Sequence, residues 1–170
     1  MNDANSAFRV AVGNLASQWI ATGLPSRQGL EEAAGSLVCL RERLKVKGIW
    51  DKPPFMVTAT LDDGLGQGLA IIEKYSVAVG IRLISLGLIQ RPEAVIDACY
   101  RHQPEFLGLT ILQFDTEDDL TCIANHLPRK TRIVAGGPVF DGDPDFASRT
   151  GTHYAAKNVA DFLRYMLETL

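Results

Sequence analysis

The chain has 170 residues, 46% of them hydrophobic and 22% charged, with a net charge of −3. That is ordinary usage for a soluble globular protein and enough for one domain with a sizeable core. Acids and bases are mixed without a basic block or basic-aromatic stripe, which argues against nucleic acid. No apolar stretch reaches the roughly 20 residues of a membrane span, and the polar start, Met1 to Phe8, lacks a signal-peptide pattern. A cytoplasmic protein is expected.

Phe8, Val12, Leu15, Ala16 and Trp19 recur at helical spacing until Gly23-Leu24-Pro25 stops the run. Ser26 is placed to cap a second helix, whose apolar face is Leu30, Ala33, Leu37, Leu40 and Leu44. Residues 1–50 thus form an N-terminal helical segment. Trp50 to Pro54 reads as a linker, because Lys52-Pro53-Pro54 cannot continue a helix.

From residue 55 to 170 strands and helices alternate. The strands are Phe55–Leu61, Ile81–Leu86, Phe106–Leu112, Thr131–Ala135 and a short one at His153-Tyr154-Ala155. The helices run from Leu69 to Val77, from Pro92 to about Tyr100, behind Asp115 or Thr116, and from about Asn158 to Glu168. The segment after Gly136-Gly137-Pro138 is rich in Asp, Gly and Pro and reads as a loop. Strands with little polar alternation, each followed by a helix, predict an α/β fold: a doubly wound, parallel, five-stranded sheet. Ligands in such folds gather at the carboxyl ends of the strands. Those ends are the Asp62–Gly68 loop, Gly87 to Gln90, Gln113 to Asp115 and Gly136 to Phe140.

Several chemistries lack their residues. A dinucleotide fingerprint needs G-x-G-x-x-G; here Gly64-Leu65-Gly66-Gln67-Gly68 is followed by Leu69 where the last glycine belongs, and the second strand ends in Ser85-Leu86-Gly87 without a ribose-binding acid. A phosphate-accepting receiver site would follow Asp62-Asp63 with a third acid where Leu112-Gln113-Phe114 stands. No serine or cysteine occupies a nucleophile elbow. Cys39, Cys99 and Cys122 are scattered, which fits reduced thiols in apolar positions and not a disulfide or zinc site. His102 and His126 fall near helix C-termini, where a cation suits the helix dipole. His153 is the histidine singled out for a ligand contact. Asp141, Asp143 and Asp145 read as a solvated loop without calcium-loop spacing.

Three short motifs occur in order: Asp63-Gly64-Leu65-Gly66-Gln67-Gly68 after the first strand, Thr110-Ile111-Leu112 in the third and Gly136-Gly137 after the fourth. Gly80 and the second strand lie between the first two. From about Phe55 to Leu170 the chain resembles the cobalamin-binding domains of methionine synthase, corrinoid methyl-carrier proteins and methylmalonyl mutases. Those domains carry D-x-H-x-x-G, S-x-L and G-G at these places. The resemblance implies a cobalamin or related corrinoid cofactor, with Asp63, Gly64, Leu65, Gly68, Thr110, Leu112, Gly136, Gly137 and His153 as cofactor-binding candidates. In the family the first-motif histidine ligates cobalt, its aspartate tunes that histidine, and the other two motifs line the slot for the nucleotide tail. Leu65 stands in the histidine's place and cannot ligate a metal, so a histidine-on mode would need another residue, such as His153; otherwise the corrinoid would be held with its tail in the slot and no protein ligand to cobalt, or with its own base still attached.

The resemblance also implies a partner, a methyltransferase protein. Methyl carriers place a four-helix cap before this domain. The chain has room for two helices there, and a homodimer would complete such a cap. The expected role is a cofactor-binding subunit in methyl transfer and not a stand-alone enzyme. Two alternatives stay open: a sensor module of the same fold binding another ligand such as haem through His153 or Cys99, or a degenerate domain serving assembly.

Overall fold

The computed structural model describes residues 3–169. The chain divides into two compact units. One comprises the chain up to Pro53, Ile71–Arg82 and the chain from Asn158; the other comprises Pro54–Ala70 and Leu83–Lys157.

The first unit is helical. It contains α1 (Asp3–Thr22), α2 (Arg27–Leu44), most of α3 (Gln67–Val79) and α8 (Val159–Glu168). Phe8, Val12, Ala16 and Trp19 are buried along α1, as their spacing predicts. Trp19 meets Tyr75 of α3 edge to face at 5.8 Å, and the Tyr75 hydroxyl donates to Leu30 O at 2.7 Å. Burial pushes that phenol up to about 12. Ser26 caps α2 by accepting from Gly29 N, and Asn158 caps α8 by accepting from Asp161 N. Arg9 donates to Ile49 O and Leu167 O. The expected linker is not a free connector at its start: Ile49 and Trp50 are buried, and Trp50 Nε1 donates to Thr169 O at 3.1 Å. An indole that finds a partner for its N–H can be buried whatever the neighbouring prolines do.

The second unit is built on the predicted sheet: β1 (Phe55–Thr60), β2 (Arg82–Ser85), β3 (Phe106–Thr110), β4 (Arg132–Gly136) and β5 (Tyr154–Ala155), in the order β2-β1-β3-β4-β5. β1, β3, β4 and β5 pair in parallel. Beyond β2 the same sense continues, with Leu86 N donating to Thr58 O and Thr60 N to Gly87 O. This is a doubly wound strand order, with its switch point between β1 and β3. A core of Val57, Ala59, Leu107, Leu109, Ile111, Ile133 and Ala135 packs with Val95 and Cys99 of α4 (Pro92–His102) and Leu120 and Ile123 of α5 (Glu117–Asn125).

The segment read as a loop after β4 holds two short helices, α6 (Pro138–Gly142) and α7 (Phe146–Thr150). Five residues are too few for a helical period to show in sequence. Phe146 is fully buried, with Phe114 and Phe140 edge-on at 5.6 and 5.5 Å. Asp143 is not simply solvated: it pairs with Arg149, which also forks onto Glu117. The cysteines are mixed in setting. Cys99 is buried, and burial pushes its thiol up to about 12, whereas Cys39 and Cys122 are exposed.

Candidate functional site

Parallel register aligns the carboxyl ends of the strands. Thr60 lies beside Thr110, and Thr110 beside Gly136. Thr60 is the hub of the loops leaving β1 and β2. Its hydroxyl donates to Asp63 O at 2.7 Å and accepts from Ile89 N at 2.8 Å; its carbonyl accepts from Gln90 N at 2.7 Å. These bonds hold Ile89 at φ +51. A β-branched residue in that region is strained, by about 1–3 kcal/mol, and such strain clusters at ligand sites.

Two aspartates fix the loop between β1 and α3 by different means. Asp63 is buried, and its Oδ1 accepts from Leu65 N at 2.8 Å and Gly66 N at 3.0 Å. Gly66 turns through φ +66, and a Cβ there would fall 2.5 Å from Leu88 Cδ2. Asp62 reaches across to the loop after β3, accepting from Leu112 N at 3.0 Å and Gln113 N at 2.7 Å. The two carboxylates are thus spent on backbone donors.

The other predicted residues fall beside them. Gly68 opens α3 with room for a Cβ 3.9 Å from the Thr110 methyl. Thr110 is half-buried, and its hydroxyl makes no hydrogen bond to a described residue. Gly137 stands at φ +130, where a Cβ would lie 1.8 Å from Ile111 O, so no other residue fits. Asp63, Gly64, Leu65, Gly68, Thr110, Leu112, Gly136 and Gly137 therefore share one end of the sheet.

His153 does not join them. It precedes β5, its N donates to Ile133 O at 3.1 Å, and its Nδ1 accepts from Ile133 N at 3.0 Å. Ile133 is the second residue of β4, so His153 is at the amino end of the strands. Strands of about five residues at about 3.3 Å each separate the two ends by roughly 13–16 Å. Burial first, and then the charge of Arg132, hold its imidazole below the ordinary 6.5. Accepting at Nδ1 requires the neutral ring with hydrogen on Nε2. The other histidines are at the amino end too. His102 ends α4 with its ring 6.0 Å from Phe55, the first residue of β1, and His126 follows α5 with Nδ1 against Cys122 O.

What the carboxyl end presents instead is apolar surface. Leu65 is 81% exposed and Ile89 63%, and Leu88, Leu112 and Phe114 are exposed on the same set of loops. Exposed apolar side chains gathered in one place mark contact surfaces. The sequence carried no sign of Ile89's backbone or of Thr60's double role. The Asp62-Asp63 doublet was visible, but not which carboxylate went where.

No family model matches the chain, and no curated protein does. Solved structures do. A cobalamin-binding protein from Desulfitobacterium hafniense DCB-2 superposes with a TM-score of 0.81 at 19% identity, over 96% of this chain and 80% of that one. The fold is that of the cobalamin-binding proteins. The methanol:cobalamin methyltransferase complex MtaBC of Methanosarcina barkeri gives 0.69 at 19% identity, over 98% of this chain and 67% of that one. The monomethylamine corrinoid protein of Methanosarcina barkeri gives 0.62 at 15% identity, over 99% and 97%. Among the described residues no helix is long and apolar enough to cross a membrane.

Proposed function

We propose that the chain binds a corrinoid at the carboxyl end of its sheet and serves as a corrinoid carrier or accessory subunit in methyl transfer, with no histidine on cobalt. The observation that carries this reading is the juxtaposition of the three motifs. Gly68 lies against Thr110, Thr110 is in register with Gly136, and Asp62 ties the first loop to the residue that ends the second motif. These are the residues that the resemblance assigns to the slot for the tail, and the unspent Thr110 hydroxyl suits a polar tail. The residues fit the group in that respect and depart from the family in one: Asp63 bonds Leu65 and Gly66 N–H groups where it would otherwise hold a histidine.

Bound, a corrinoid would supply the metal that takes up and passes on a methyl group. The chain's own part is to hold the two loops, keep water from the apolar surface and present the cofactor to a methyltransferase partner. A haem-sensing role finds less support, since His153 is at the far end of the strands and Cys99 is fully buried.

Incubation with hydroxocobalamin followed by desalting tests the reading. Coloured protein is expected from the wild type, and a several-fold loss of retained colour from Thr110→Trp, which fills the slot. Colourless wild-type protein sinks the proposal; full retention by the variant sinks the slot assignment.

A further inference from the structure

Two exposed apolar side chains, one in each unit, are set among unpaired charges of opposite sign. In the second unit Phe114, beyond the end of β3, is 51% exposed. Asp115 follows it, and Asp118 and Asp119 lie in the first turn of α5. Asp141 precedes Gly142, where a Cβ would lie 3.2 Å from Phe114 Cζ, and Asp145 precedes Phe146, whose ring stands 5.6 Å from that of Phe114. These five carboxylates are exposed and form no ion pair with a described residue. Arg149 is the one Lys or Arg within residues 111–128 and 137–150, and it is taken up by Glu117 and Asp143. The dipole of α5 suits Asp118 and Asp119, but it gives no reason for Asp115 and Asp141 beside an exposed ring. In the first unit Val77 of α3 is 47% exposed. Its carbonyl accepts from Arg41, and just beyond it Ile49 N donates to Val79 O at 2.9 Å, so the chain from Arg41 to Ile49 lies against the end of α3. Arg43, Lys45, Lys47 and Lys52 are exposed on this stretch and form no ion pair with a described residue. Glu42 and Asp51 are the acids among them, and Asp51 accepts from Asn5 Nδ2.

We infer that these two surfaces meet between copies of the chain: the acidic surround of Phe114 on one copy docks on the basic surround of Val77 on another. Exposed ion pairs are individually weak and are screened by salt. The apolar pair therefore forms the centre of the contact, and the charges around it decide which surfaces come together. A second copy is the occupant because the chain carries both halves, so each copy offers the complement of the other. The contact joins two different surfaces, which makes it head-to-tail, and such contacts build rings or open chains. None of these residues is a cofactor candidate, so the contact stands or falls apart from the corrinoid reading.

Sedimentation equilibrium tests the contact, with the wild type at up to about 1 mM, the weak end of the affinity range. An average mass above the monomer is expected at about 20 mM salt, and the monomer at about 500 mM, where screening is short-ranged. Phe114→Ser is expected to weaken the association several-fold. Asp115→Lys with Asp141→Lys, and separately Lys45→Glu with Lys47→Glu, are each expected to stay monomeric at low salt, with circular dichroism confirming the fold of each. Mixed one to one, these two double variants are expected to associate again, because the reversed acids of one meet the reversed bases of the other. A wild type that is monomeric at low salt overturns the inference. So does association indifferent to salt, to Phe114→Ser or to either reversal, and so does a mixture of the folded variants that stays monomeric.

Discussion

The two ends of the sheet divide the chemistry of the second unit between them. At the amino end are the three histidines and the Glu105–Lys130 pair, with Glu105 also accepting from Phe55 N at 2.7 Å. Burial pushes the Glu105 carboxyl up, but the Phe55 N–H and Lys130 outweigh it and hold it below its ordinary value. At the carboxyl end are spent aspartates, glycines and exposed leucine, isoleucine and phenylalanine. A search for reactive side chains would lead to the amino end. Doubly wound sheets bind ligands at the other end, so under the proposed function binding would work through shape, backbone and apolar contact, while the titratable end serves the fold.

Three substitutions press on that division. The largest effect is expected from Gly137→Ala, which drives a Cβ into Ile111 O in a backbone region open only to glycine. A loss of about 3 kcal/mol or more in urea unfolding is expected, and a near-neutral result would show that the turn after β4 is placed otherwise. Next is Thr60→Val, which keeps the shape and removes the hydroxyl from Asp63 O and Ile89 N. Leaving these groups unpaired costs about 1–3 kcal/mol, and amide exchange at Ile89 should accelerate while Leu107, in the middle of β3, stays protected. Uniform acceleration would make Thr60 a general core residue and not the hub of these loops.

The smallest effect concerns the amino end. His153 titrates below 6.5, so the unfolded chain binds its proton more readily than the folded one. Its contribution is present in full above about pH 6.5 and is lost as pH falls through the lower folded value. The urea midpoint of the wild type should therefore drop across that interval more than the midpoint of His153→Asn. Parallel curves would separate His153 from the acid sensitivity of the fold.

The resemblance to cobalamin domains rested on motifs a few residues long, and most of its candidates lie together in space. His153 was the exception, although the predicted strand His153-Tyr154-Ala155 already began with it and a parallel sheet puts a strand's first residue at the amino end. It sits directly before β5 and so must lie at the amino end once β5 pairs in parallel with β4. Ile49 and Trp50 were missed because a proline-rich neighbour says nothing about an indole's distant partner at Thr169. The helices α6 and α7 were missed because each is barely more than one turn.

By itself the sequence determined the alternation of strands and helices, the parallel sheet and the leucine at position 65. These depend on local periodicity and on single residue identities, which are written in the chain. Only the tertiary structure decided that Asp62 and Asp63 spend themselves on backbone, that His153 Nδ1 is taken up by Ile133 N, and that Ile89 is held in strain by Thr60. Those outcomes depend on strand register and loop closure between residues far apart in the chain, for which local pattern carries no signal.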